Sequence, residues 1–301
     1  MTLFDPDRGR VVVPAPGTGP GNWSGAPGAW REGGDLYVAY RVRKPHPDRG
    51  FELRIAASSG GRFETIWRAR KAELASESIE RSALVRTGGR WRLYVGLVNA
   101  SDRRWRIELL ESSAADAFDA SIRREVLTSQ SAGVAAVKDP WLRRVGAHWL
   151  MFVSYGPLPE TRGGPLHVTG DALSTGRTRS HTGLATSTDG LTWTWEGDVL
   201  SPSDSGWDSY TARLCTAVRD EEGWLGLYDG SASLEENYEE RCGVARSDDL
   251  RHWRRVSVAG PAIGTARGPG GVRYVDVTAA GDVFYEYTRE DGSHELRMAT
   301  V

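Results

Sequence analysis

Five segments set charged or polar residues among small and aromatic neighbours: Asn22-Trp23-Ser24-Gly25-Ala26-Pro27, Ser78-Ile79-Glu80-Arg81, Val137-Lys138-Asp139-Pro140-Trp141, Asp208-Ser209-Tyr210-Thr211-Ala212-Arg213 and Arg273-Tyr274-Val275-Asp276. An isolated charge in apolar surroundings is costly, so charges recurring there need partners or a task. Asp139 and Glu80 are the carboxylates best suited to divide proton transfer. An apolar neighbour such as Trp141 would raise one carboxyl pKa, and a nearby Arg81 or Arg213 would lower the other. The arginines Arg81, Arg213 and Arg273 have a second use, since guanidinium groups fork onto carboxylates and phosphates. Trp23, Trp141, Trp207 and Tyr210 offer flat apolar faces for a ligand, with Ser24, Asp208 and Asp276 as polar contacts. The plain alternative is a solvated rim for the charges and inter-sheet core for the rings.

Two connecting segments add candidates. Residues 156–181 form a long stretch rich in Gly, Thr and Arg, and loops of that length are usually functional or mobile. It ends at His181, a candidate substrate contact. The segment 229–241 is dense in carboxylates, with Asp229 and Glu240 at its ends. It reads as a solvated acidic loop, a hydrogen-bonding rim, or a structural calcium site of hard oxygen ligands. No other metal is expected: the histidines lack ligand spacing, and no organic cofactor is required by any motif. A nucleophile elbow and a phosphate-cradling glycine loop are both missing, which argues against triad and nucleotide chemistry.

The elements that position these residues repeat. A strand leads through a Gly-containing turn into an aromatic strand: Leu36 to Val42, Trp91 to Leu97, Trp149 to Tyr155, Trp224 to Tyr228 and Val283 to Tyr287. Third strands are expected at Leu53 to Ser58, Arg106 to Glu111, Gly183 to Ser187, Gly243 to Ser247 and Glu295 to Thr300. Two third strands end in matching turns, Ser187-Thr188-Asp189-Gly190-Leu191-Thr192-Trp193 and Ser247-Asp248-Asp249-Leu250-Arg251-His252-Trp253, whose Trp can pack between sheets. Five such units predict an all-β, five-bladed β-propeller with four-stranded blades, one domain over 1–301. The last unit ends after its third strand, so Arg10 to Pro14 is expected to supply its fourth and close the ring. The five charged segments then fall at the starts of the innermost strands and converge on one mouth.

Composition bounds the partners. With 38 basic and 40 acidic side chains and a net charge of -2, the chain has no basic footprint for nucleic acid or membrane. A small molecule held in a local pocket is the expected partner. The two cysteines, Cys215 and Cys242, read as small buried residues. The N-terminal residues carry neither a basic start nor an apolar run, which leads to the expectation of a cytoplasmic protein.

The motifs resemble those of the five-bladed propeller glycosidases, glycoside hydrolase families 32, 43, 62 and 130. Lys138-Asp139-Pro140 is similar to the Arg-Asp-Pro element of families 32 and 43. Ala26-Pro27-Gly28-Ala29 with Tyr40-Arg41 is similar to the Asn-Pro-Gly-Ala and Tyr-Arg pattern of family 130, and Ile79-Glu80-Arg81 to its Glu-Asp-Pro-Arg element. The sequence departs where families 32 and 43 carry a first-blade aspartate, here Ser24, and Arg213 stands near the expected fourth-blade glutamate. The resemblance implies cleavage of a glycosidic bond by a carboxyl pair, with Glu80 as general acid and Asp139 as base or charge stabiliser, or the reverse. Arginines near the pair suggest an acidic sugar, or phosphate as attacking group. The competing classes are a non-catalytic sugar-binding propeller and a propeller recruited for tailoring another small molecule.

Overall fold

The computed structural model describes residues 3–159, 166–167 and 171–300. Alternation of small and bulky apolar residues, broken by Gly-containing turns, folds the chain into consecutive antiparallel meanders. Ser76–Thr87, Arg90–Asn99, Trp105–Ser112 and Arg124–Thr128 form one four-stranded sheet. Ala136–Val145, His148–Gly156, His181–Ser187 and Thr194–Leu200 form another, and Thr211–Asp220, Gly223–Ser231, Arg241–Ser247 and Arg254–Arg255 a third. The remaining strands form one eight-stranded sheet, in which the single parallel pair Trp23↔His294 joins two meanders. The first is Trp23–Glu32, Asp35–Lys44, Arg49–Ser59 and Arg62–Arg70; the second is Val272–Val277, Asp282–Thr288 and His294–Thr300. Arg10–Val13 pairs antiparallel with His294–Thr300, giving the second meander its fourth strand. The architecture is all-β and propeller-like.

Each neighbouring pair of meanders encloses its own apolar core. Ile55, Trp91 and Phe118 fill one, and Tyr94, Met151 and Leu127 the next. Phe152, Leu214 and Trp224 pack a third, with Leu227, Val275 and Tyr285 in a fourth. Tyr40, Val38, Phe284 and Leu296 form the fifth, between the last meander and the first. The paired turns behave alike. Ser187 Oγ accepts the Gly190 amide at 2.8 Å and Ser247 Oγ accepts the Leu250 amide at 2.8 Å. Both turn residues have positive φ, 72° and 66°. Trp193 then meets Tyr94 edge-on, and Trp253 meets Phe152. Cys215 and Cys242 are free and buried.

The first strand of every meander carries a β-bulge. Register slips between Gly25 and Gly28, Ile79 and Ser82, Lys138 and Trp141, Leu214 and Thr216, and Arg273 and Asp276. Ala26, Asp139 and Tyr274 occupy the same place in three of them, with φ of 54°, 56° and 52°. A bulge bends its strand and re-aims its side chains. Here it divides each inner strand into an initial stretch and a final stretch that face different surroundings.

Candidate functional site

The initial stretches meet in a buried ionic cluster. Arg41, Arg43, Arg49, Arg81, Lys138, Arg213 and Arg273 are all buried, and so are Glu80, Asp139, Asp171, Asp229, Glu240, Asp276 and Glu286. Arg81 and Asp276 pair with each other beyond the bulges, which leaves six bases against six acids in the cluster itself. Arg41 Nε donates to Glu80 Oε2 at 2.7 Å, and Arg43 Nη1 to Glu80 Oε1 at 3.1 Å. Arg213 Nη2 donates to Asp229 at 2.7 Å and to Glu240 at 3.1 Å, while its Nη1 reaches Asp139 at 3.3 Å. Arg273 bridges Glu240 at 2.5 Å and Glu286 at 2.8 Å. A continuous chain of charge therefore runs from Glu80 through Arg41, Glu286, Arg273, Glu240 and Arg213 to Asp139.

The bulges supply backbone donors to the same carboxylates. The Ala26 amide donates to Glu286 at 2.9 Å, the Arg81 amide to Asp139 at 3.2 Å, and the Tyr274 amide to both oxygens of Asp229 at 3.0 Å. Each of these bonds crosses from one meander to its neighbour. Glycine makes the closest approach possible: a Cβ on Gly25 would lie 2.0 Å from Glu286 Oε2.

Burial and charge set the carboxyls apart. Burial pushes the Glu80 pKa up, but the charges of Arg41, Lys138 and Arg43 outweigh it and hold the group well below the usual range. Glu286 is likewise lowered, with burial overcome by Arg273, Arg41 and His294. Asp229 goes the other way: burial, with Glu240 adding to it, exceeds the pull of Arg213 and raises its pKa. Burial also raises Asp276 against the charge of Arg81.

Aromatic rings wall the cluster. Trp23 stacks on His294 at 4.4 Å and 13°, and the Arg43 guanidinium lies 4.4 Å from the Trp23 ring centre. Tyr238, half-buried, faces Trp23 at 5.3 Å and Arg43 at 4.9 Å. Lys138 and Arg49 both reach Asp171, at 3.8 and 3.3 Å. The Arg41 Nη1 atom is buried with no hydrogen-bond partner among the described residues.

Of the residues singled out by sequence, Glu80, Asp139, Arg213, Arg273, Asp229, Glu240 and Trp23 come together here. Others do not. Arg81 turns its guanidinium past the bulge to the carbonyls of Pro27 and Cys215, at 2.9 and 2.7 Å. Trp141 donates to Asp276 at 3.0 Å, so this pair also lies on the final stretches. Ser24 faces a lateral groove with Val12, Tyr40 and Phe63, because the alternation of its strand turns it away from the cluster. Asp208 is tied to Tyr228 and Arg255, toward the outer strand of its own sheet. His181 bonds Asp198 and Ser201 at the outer pairing of its sheet. Tyr210 donates to the Leu173 carbonyl and so braces the turn that carries Asp171.

The arginines also correct an expectation. Arg213 and Arg273 do not form an open anion cradle, since each is engaged by two or more carboxylates. Among the described residues, no group of three or more His, Cys, Asp or Glu side chains could hold a metal ion, and Asp229 and Glu240 serve as anions for arginine. Part of the long loop, residues 160–165 and 168–170, lies outside the described residues.

Sequence reading missed Glu286, Arg43, His294 and Tyr238. Glu286 and Arg43 lie on second strands, where the sequence gives a signal: Glu286 is a charge inside the aromatic run Val283 to Tyr287, and Arg43 shares a strand face with Arg41. His294 and Tyr238 sit at a strand start and in an acidic loop, and no local pattern marks them.

No family model matches the sequence, and no curated protein matches it. Solved structures do share the fold. A glycoside hydrolase aligns over 97% of this chain and 90% of its own, with a TM-score of 0.71 at 16% identity. A β-1,2-mannobiose phosphorylase from Listeria innocua aligns over 92% and 89%, at 0.60 and 15%. A β-xylosidase aligns over 97% and 94%, at 0.62 and 14%. No helix is long and apolar enough to cross a membrane.

Proposed function

We propose that this chain is a carbohydrate-active enzyme that cleaves a glycosidic bond, working at the cluster around Glu80 and Asp139. We also read its meanders as five blades of one ring, with Arg10–Val13 completing the fifth. The five inter-sheet cores, the last joining Tyr40 to Phe284, support that reading. The observation that carries the function is the meeting of Glu80, Asp139 and Arg213 with an aromatic wall, in a fold shared with glycoside-cleaving enzymes.

The two carboxyls suit different tasks. Glu80 sits between two guanidinium groups and stays ionised at neutral pH, so it serves as base or as stabiliser of a cationic transition state. Asp139 is held more loosely, with all three contacts at 3.2 Å or longer, from the Arg81 amide, Arg213 and the Tyr274 hydroxyl. In the pair it takes the role complementary to that of Glu80. The buried, unpartnered Arg41 Nη1 would donate to a hydroxyl of the sugar. A neutral sugar fits better than an acidic one, because the cluster already balances its own charge.

Turnover of a panel of neutral disaccharides and aryl glycosides, with and without phosphate, tests the reading. Glycoside-dependent turnover that Asp139→Asn abolishes supports hydrolysis, and strict dependence on phosphate supports phosphorolysis instead. The full pairing of every acid in the chain from Glu80 to Asp139 favours a second reading, a non-catalytic sugar binder. Saturable binding without turnover would establish it.

A further inference from the structure

The final stretches of the inner strands line a cavity of about 330 Å³, beyond the bulges from the ionic cluster. Gly28–Arg31, Ala83–Thr87, Trp141–Arg144 and Asp276–Ala279 reach it from four meanders. Its volume lies in the range that holds a small ligand. Its walls are mainly apolar, with Trp141, Trp149 and Leu84 among them. At its inner end Arg81 is fully buried, and its Nη2 has no hydrogen-bond partner among the described residues. The Asp276 Oδ1 carboxylate oxygen is 3.5 Å away and already accepts Trp141 Nε1 at 3.0 Å. A buried donor without an acceptor costs on the order of 1 to 3 kcal/mol, more for a charged group.

The outer end is cationic. Arg31 and Arg86 have partners in Asp282 and Glu32. Arg143 has no ion-pair partner among the described residues; it lies half-buried, 5.3 Å from the Trp224 ring. Burial alone pulls its pKa down, with no anion near enough to offset that. Arg144, the next residue on the strand, lies against Trp149 at 5.8 Å and also lines the cavity.

We propose that this cavity is a second ligand site, distinct from the carboxyl cluster, which takes a small amphipathic anion. The apolar or aromatic body lies among Trp141, Trp149 and Leu84, and a carboxylate or phosphate head meets Arg143 and Arg144. A polar acceptor at the deep end completes Arg81. The inference stands whether or not the first site is catalytic.

Isothermal calorimetry on the full chain tests it, with 2-naphthoate, phenyl phosphate and the uncharged 2-naphthalenemethanol as probes. One equivalent of naphthoate or phenyl phosphate is expected to bind with a Kd below about 1 mM, at least about tenfold tighter than the alcohol. The tighter of the two anions identifies the head group. Arg143→Gln should erase the preference for the anion and leave the melting temperature unchanged. No binding of either anion overturns the proposal, as does equal affinity for anion and alcohol, or an unaltered preference in Arg143→Gln.

Discussion

Arg41 Nε donates to Glu80 Oε2 at 2.7 Å between two side chains that are both almost fully buried. Arg43 approaches the other oxygen of the same carboxylate. One carboxylate therefore serves two guanidinium groups that have little or no access to water, and Arg41 has Glu286 as a second anion. Breaking a buried pair from one side leaves an uncompensated charge, which costs about 3 to 5 kcal/mol. Glu80→Gln should destabilise the chain by about that amount in urea unfolding. Adding Arg43→Met should recover part of the loss, with a coupling of about 1 kcal/mol or more in the double-mutant cycle. Strictly additive effects would show that the ion pairs do not carry the stability.

The same pairing predicts an acid limb. Glu80 and Glu286 have folded pKa values below their ordinary value of 4.5. Their contribution is present above pH 4.5 and is lost as pH falls toward the folded values. Asp276 has the opposite sign: its raised pKa favours the folded state below 3.8, and that advantage fades as pH rises through the folded value. Thermal melting from pH 3 to pH 8 should show a steep acid decline in the parent and a shallower one in Glu80→Gln. Asp276→Asn should gain on the parent as pH rises. Parallel curves for all three proteins would remove these groups from the linkage.

Much of this architecture was legible in the chain because repetition marks it. The aromatic second strands, the Ser-Asp turns and the completing strand near Arg10 each follow from local alternation and turn chemistry, which act between residues close in sequence. The site was only half legible. Glu80, Asp139 and Arg213 stood out as charges at strand starts, but the bulge that follows decides which side of the strand the next residue faces. Thus Arg81 and Trp141 were grouped with their neighbours, while the structure turns both toward the opposite cavity. A register slip of one residue exchanges the two faces of a strand, and nothing local in Arg81 or Trp141 announces it. Partners such as Glu286 and His294 depend on pairing across more than 200 residues from Arg41, beyond the reach of any local pattern.

The bulge at Ala26 carries strain that can be measured. Its φ of 54° is a left-handed conformation that costs an L-residue about 1 to 2 kcal/mol relative to glycine. Ala26→Gly removes that cost, offset in part by the greater entropy of glycine in the unfolded chain. The lost methyl contact with Cys215 and Tyr274 is small. A net gain of up to about 1 kcal/mol is expected in denaturant unfolding, with the Glu286 hydrogen bond to the residue 26 amide retained. A loss of 1 kcal/mol or more in that titration would mean that the methyl group, and not the backbone, determines the bulge.

Gly28 lies at the other side of the same bulge, where two inner strands touch backbone to backbone. A Cβ there would sit 2.0 Å from the Ser82 carbonyl oxygen and 3.2 Å from Ala83 Cα. Neither atom belongs to a flexible side chain, so the strands must separate to admit a methyl group. Separation would also part Ala29 from Asp276, which accepts the Ala29 amide at 2.7 Å. Gly28→Ala should therefore cost on the order of 3 kcal/mol or more, far beyond an ordinary surface substitution. The damage should extend to both ends of the inner strands, weakening anion binding in the cavity beyond the bulges as well as lowering the melting temperature. Gly34, in an exposed turn where an added Cβ would meet nothing within 4 Å, is the control: Gly34→Ala should leave melting almost unchanged. Equal melting temperatures for the two variants would contradict the close approach of the inner strands on which both sites depend.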